Sequence, residues 1–193
     1  MAIDTGLAIT CTDLQATGGI SQILLRSFAT GDACTYDNSA TNHAISSIVD
    51  TGSSTATWYV YEFKNETPTL AVAATKENGS TAFECTLAFY LSRMASSKFH
   101  ELQNLLNECM MAIVVDTAGN NWVIGLSELY ANEDVLTRNQ TYLNLSGMEG
   151  TTGAAYSEEN GVTVTLVARQ FELPREYVGT LLVDTAALTA TTS

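Results

Sequence analysis

Residues 83–91 read Phe-Glu-Cys-Thr-Leu-Ala-Phe-Tyr-Leu. Phe83, Cys85, Leu87, Phe89 and Leu91 fall on one face of an extended chain, and Glu84, Thr86, Ala88 and Tyr90 fall on the other. Side chains of a strand alternate between faces, so this pattern predicts a strand with one wholly apolar side. Such a side must lie against another sheet or a helix. A layered, β-rich domain is therefore the starting expectation.

The flanking sequence supplies the other layers. Strands are predicted at 20–28, 57–63, 69–75, 110–115, 122–125 and 161–172 from their apolar patterning. Leu24-Leu25 blurs the alternation of the first, and residues 110–115 are apolar throughout. Strands of that kind are covered on both faces. Pro68 has no N–H to give a ladder, so it belongs at the start of strand 69–75, which is expected to return as the partner of 57–63. Asn78-Gly79 tolerates positive φ and predicts a tight hairpin before the central strand, and residues 116–121 have the composition of a second hairpin connection. One helix is predicted over 98–108. Ser96 or Ser97 is its expected cap, and Phe99, Leu102, Leu105 and Leu106 form the buried stripe.

Residues 29–54 and 126–159 are rich in Ser, Thr, Asn, Asp and Gly. They are expected as long loops carrying short strands at 44–49 and 141–145. Residues 1–19 read as an arm. Residues 173–193 read as an extension whose apolar patch, 181–183, docks on the body or stays loose. The fold class that follows is mainly β: a β-sandwich or partly closed barrel with one flanking α-helix, in a single domain spanning 1–193.

Charge narrows the function classes. The chain carries 21 acidic and 8 basic residues, a formal charge of −13. The excess is spread along the sequence, which argues against a protein that grips phosphate backbones and suits one that must not adhere to nucleic acid. Residues 1–10 lack the basic start and apolar run of a secretion signal, and no stretch approaches a membrane span, so neither export nor membrane insertion is expected. Cys11, Cys34, Cys85 and Cys109 match no zinc spacing. Cys85 and Cys109 sit on apolar faces as buried thiols, and Cys11 and Cys34 are expected free rather than paired.

The sharpest local motif is Ile48-Val49-Asp50-Thr51-Gly52-Ser53-Ser54. Two apolar residues before Asp-Thr-Gly-Ser-Ser match the active-site loop of aspartic proteases, in which two carboxylates share a proton. One motif per chain would require a homodimer with Asp50 as catalytic residue. A second apolar strand behind the loop and a flap are also needed, and neither is evident, so an ordinary strand-to-turn junction is the competing reading. Val114-Val115-Asp116-Thr117-Ala118-Gly119 resembles a GTPase switch segment, but no phosphate-binding loop ending in Lys-Ser/Thr accompanies it. His43 and His100 lie far apart, and the pairs Glu158-Glu159 and Glu133-Asp134 lack ligand spacing, so no metal or cofactor is expected.

An ordered set of segments carries a resemblance. Leu14-Gln15-Ala16-Thr17-Gly18-Gly19-Ile20 leads into a strand, followed by Trp58-Tyr59-Val60-Tyr61-Glu62-Phe63, Lys76-Glu77-Asn78-Gly79 and Phe83-Glu84. Then come Ile113-Val114-Val115-Asp116, Gly119-Asn120-Asn121-Trp122-Val123-Ile124-Gly125, Thr152-Gly153-Ala154-Ala155-Tyr156 and Asn160-Gly161-Val162-Thr163-Val164-Thr165-Leu166. In this order they resemble the tail tube, or major tail, proteins of tailed bacteriophages, across most of residues 14–172. The segment 126–151 and the residues after Glu172 are longer than that pattern, which leaves room for a tail terminator or baseplate-proximal ring of the same fold.

The resemblance implies a non-enzymatic virion subunit, assembled in the bacterial cytoplasm into stacked rings, six-membered in this family. DNA passes through the lumen without specific binding. The implied partners are other copies and other tail proteins such as sheath, terminator or baseplate, with no membrane. An acidic lumen would repel DNA phosphates. Strands apolar on both faces would find their second cover in a neighbouring copy. On this reading Trp58, Tyr59, Tyr61, Phe63, Pro68, Asp50, Tyr130 and Tyr142 are the expected contact residues. Strands 57–63 and 69–75 form the tube wall, and 29–56 and 126–159 make the contacts between rings.

Overall fold

The computed structural model describes residues 18–28, 32–39, 42–64, 66–77, 80–126, 141–155 and 158–193. The elements run β1 (Ile20–Ser27), β2 (Ala33–Ser39), β3 (Asn42–Val49), β4 (Ala56–Tyr61), β5 (Thr69–Glu77), β6 (Ser80–Ser92) and α1 (Ser96–Leu105). They continue as β7 (Met110–Asp116), β8 (Asn121–Ile124), β9 (Asn144–Thr151), β10 (Gly161–Gln170), β11 (Arg175–Glu176), β12 (Leu181–Asp184) and β13 (Thr189–Thr192). Among the described residues the fold is mainly β with one helix, the class expected from the alternation at 83–91 and the strands predicted around it.

Three layers stack. A curled seven-stranded sheet, ordered β11-β8-β7-β1-β4-β13-β12, forms the middle. A four-stranded sheet, β5-β6-β10-β9, covers one face, and the hairpin β2-β3 covers the other. Between the first two layers lie Leu87 and Phe89 of β6, Val164 and Leu166 of β10, and Ile23 and Ala112 of the middle sheet. Between the middle sheet and the hairpin lie Leu24, Trp58, Met111 and Ile113 against Ile45 and Ile48. β1 and β7 thus bury both faces, which is why their sequences read as apolar runs rather than alternations.

The second cover comes from within the chain. The expectation that residues 29–54 are mostly loop, and that two-faced strands look to a neighbouring copy, is corrected on this point. β2 and β3 pair along their length with one irregularity between Thr35 and Tyr36. They turn Cys34, Ala44, Ile45 and Ile48 inward. Most of their other positions are Ser, Thr, Asn and Asp, so composition alone resembles a loop. The expected pairing of 57–63 with 69–75 is also corrected. β4 pairs with β1 and β13, whereas β5 pairs with β6, so the two strands lie in different sheets.

α1 begins two residues before the predicted start and ends three before the predicted end. Its cap position is Ala95, with no side-chain capping bond, so Ser96 and Ser97 do not cap it. Leu102 and Leu105 are buried, and Phe99 packs against the same core. Leu106 lies past the last turn and is 55% exposed. The extension after residue 173 docks rather than staying loose. β13 pairs with β4 and β12 with β13, so the C-terminal hairpin completes one side of the middle sheet. At the far end of β8, Gly125 has φ +93, and a Cβ there would lie 2.8 Å from the Met110 carbonyl oxygen, so this turn requires glycine.

Candidate interaction surfaces

Asp50 follows β3 and opens a turn in which the Ser53 N–H donates to the Asp50 carbonyl at 3.0 Å. Its carboxylate pairs with the Arg26 guanidinium, which also donates to Asp32 Oδ2 at 2.7 Å. Asp32 immediately precedes β2 and Asp50 immediately follows β3, so one guanidinium on β1 ties both strands of the covering hairpin at its open end. Arg26 and Asp32 are buried. This arrangement gives Asp50 a structural use. A protease carboxylate shares its proton with a second carboxylate, whereas this one faces a fixed cation.

The aromatic strand is split by its own alternation. Trp58 is fully buried, and its Nε1–H donates to Thr192 Oγ1 at 2.9 Å. The Thr192 hydroxyl donates in turn to the Ile48 carbonyl at 2.7 Å. Trp58 therefore ties the middle sheet, the C-terminal hairpin and β3 together and presents no surface to a partner. Tyr59 points the other way and is 59% exposed. Tyr61 is half-buried, stacks edge-on against Phe89, and donates to Glu101 Oε1 at 2.6 Å. Burial, and then the Glu101 carboxylate, push its phenol well above the usual range. Phe63 is half-buried against the main core. Tyr59, Tyr61 and the helix edge border an open groove of about 1070 Å³ whose far wall is the turn at Leu188.

Pro68 is buried at the foot of β5 and shares a cleft of about 830 Å³ with Gly19, Leu70 and Trp122. Tyr142 is half-buried beside Cys109, whose hydrogen bond and charge raise its phenol. Tyr130 lies outside the described residues. Sequence reasoning thus names surface residues (Tyr59), core residues (Trp58) and a clamp (Asp50) under one heading, and the structure separates them.

It also misses the edges of the four-stranded sheet. The core beneath that sheet is supplied by β6 and β10; the strands outside them overhang it. Residues 71–76 of β5 are exposed on both faces, and Val72 is 42% exposed. In β9 every residue but Leu145 is exposed, including Met148 at 41%. Charge is sparse on both: Lys76 and Glu77 end β5, and β9 carries Glu149 alone. The only sequence signal was a negative one, a strand with apolar residues at consecutive positions (Leu70 to Ala74) and no buried partner to explain them.

The outward face of this sheet is mostly small and hydroxylated. By register it carries Ala71 and Ala73 on β5, Thr86, Ala88 and the larger Tyr90 on β6, and Thr163, Thr165 and Val167 on β10. Its charges are Glu84, ion-paired with Arg169 at 3.2 Å, and Glu149. Cys85, on the inner face, donates to Gln170 Oε1 at 3.0 Å, and burial pushes its thiol up to about 11. Among the described residues no group of three or more His, Cys, Asp or Glu is placed to hold a metal ion, and no helix is long and apolar enough to cross a membrane. No protein-family model, curated protein or solved structure matches the chain.

Proposed function

We propose that this chain is a structural subunit of a bacteriophage tail tube, assembling head-to-tail into rings, six-membered by the resemblance, that stack around a passage for DNA. The observation that carries the reading is the pair of edges on one sheet that no described residue covers, interrupted only by one bulge at Ser146 of β9. Soluble proteins normally blunt an edge with charge, proline, brevity or a covering element, because its unpaired N–H and C=O groups template further pairing. β5 spans nine residues and β9 eight, and both overhang the core. Neighbours in this sheet are antiparallel throughout, so β5 and β9 run in opposite directions. Adding β9 of one copy to β5 of the next therefore continues the same alternation. The contact is heterologous, and repeated by rotation it closes into a ring.

The outward sheet face suits the wall of a passage. Its Ala and Thr side chains offer little for a base to stack on, and its one aromatic ring, Tyr90, is half-buried with the Lys64 ammonium over it at 5.9 Å. Among the described side chains of that face, two carboxylates stand against one guanidinium, a balance that favours sliding over adhesion. On this account most of the acidic excess lies away from the lumen and serves solubility. Negative-stain microscopy of the concentrated protein tests the proposal: rings or tubes are expected, and isolated 20.7 kDa particles at every concentration would contradict it.

A further inference from the structure

Beside the edge strand β5 lies a recess of about 290 Å³ lined by Leu70, Val72, Trp122, Leu173 and Pro174. It opens between β5 of one sheet and β8 of the other, on the inner side of β5. Leu173 is 58% exposed at its rim. Nearly all of its lining is apolar, and nothing among the described residues fills it. On the opposite edge of the same sheet stands Met148, also on the inner side, because it pairs in register with the inward-facing Val164.

We infer that this recess is the socket for Met148 of the adjacent copy, an inference that rests on the ring reading above. Head-to-tail addition of β9 to β5 keeps inner faces aligned, so the Met148 side chain enters on the recess side of β5. An unbranched thioether adapts to an irregular apolar gap and makes favourable contact with an indole edge, here that of Trp122.

The register supports the same match. Within one copy Met148 stands level with Phe89 and hence one step before Thr69. Bringing it opposite Val72 requires a slide of four residues, and only a slide in that direction makes the two edges overlap along their lengths. A four-residue slide per four strands corresponds to a strand tilt of about 35°, which falls among the tilts at which closed sheets are built.

The test is a Val72→Cys, Met148→Cys double variant made in a Cys11→Ser, Cys85→Ser, Cys109→Ser background, oxidised at high concentration and run on a non-reducing gel. The background is needed because Cys85 pairs in register with residue 72 and would otherwise capture the new thiol within the chain. β5 and β9 of one copy are three strand spacings apart, about 14 Å, too far for a disulfide within the chain. A ladder of linked copies from the double variant, absent from either single variant and from the unmodified protein, is the expected result. Dimers from Val72→Cys alone would mean that β5 pairs with β5 and would overturn the inference. Rings by microscopy without a ladder would overturn the socket and leave the ring reading standing. Neither rings nor ladder would remove both. In a second arm, Met148→Leu is expected to assemble and Met148→Asp to remain a folded monomer. Unimpaired assembly of Met148→Asp would also overturn the socket.

Discussion

Arg26 shows how one side chain holds a layer in place. Its guanidinium is buried against Asp32 and reaches Asp50. Replacing it with methionine leaves the Asp32 carboxylate buried without its cation, a loss of about 3–5 kcal/mol in urea unfolding. Asp32→Asn is expected to cost more than Asp50→Asn, because the Asp50 side chain is 38% exposed and water screens its share of the pair. Equal costs would mean that the clamp does not act through burial.

Trp58 and Thr192 form a second such point. Thr192→Val keeps the shape but leaves the indole N–H unpaired, and is expected to lose about 1–3 kcal/mol. A third is Asp116. Burial alone would raise its carboxyl, but hydrogen bonds from the Asn120 side chain and backbone and from the Trp122 indole outweigh it and hold it below the usual 3.8. With the folded value below the unfolded one, this stabilisation is fully present above about pH 4 and is lost as pH falls through the folded value. Unfolding free energy measured from pH 6 downward should fall less steeply in Asp116→Asn than in the native chain.

At the scale of elements, legibility followed periodicity. β6 and β10 were readable because one face is buried and the other is not. β7 was readable as a strand, but its two-sided cover was assigned to another copy, since no apolar run remained in the sequence to supply it. The actual cover, β2-β3, buries four small or branched side chains among hydroxyls and amides, a signal too thin to separate from a loop. The C-terminal hairpin was legible only as a short apolar patch. Its anchoring depends on Thr192 meeting Trp58, residues 134 apart in sequence, which no local pattern encodes. Removing residues 181–193 is expected to abolish cooperative unfolding of the whole domain, since it strips the cover from Ala56 and Trp58. A truncated chain that keeps a native near-ultraviolet spectrum would count against this.

At the scale of the molecule, composition and exposure part company. The aromatic strand was singled out for its composition, yet its largest ring serves the interior. The overhanging edges passed unnoticed because exposure of a strand on both faces depends on what lies beneath it, and that is a property of the layers. Once both sides of the middle sheet are covered within the chain, two-faced strands no longer argue for assembly. The exposed edges of β5 and β9 favour assembly instead. Amide hydrogen exchange, followed as protein concentration rises, tests it most directly. The account predicts slow exchange appearing together in β5 and β9 as oligomers form, while the outward face of the β2-β3 hairpin is unchanged. Fast exchange persisting in both strands within a demonstrated oligomer would contradict it.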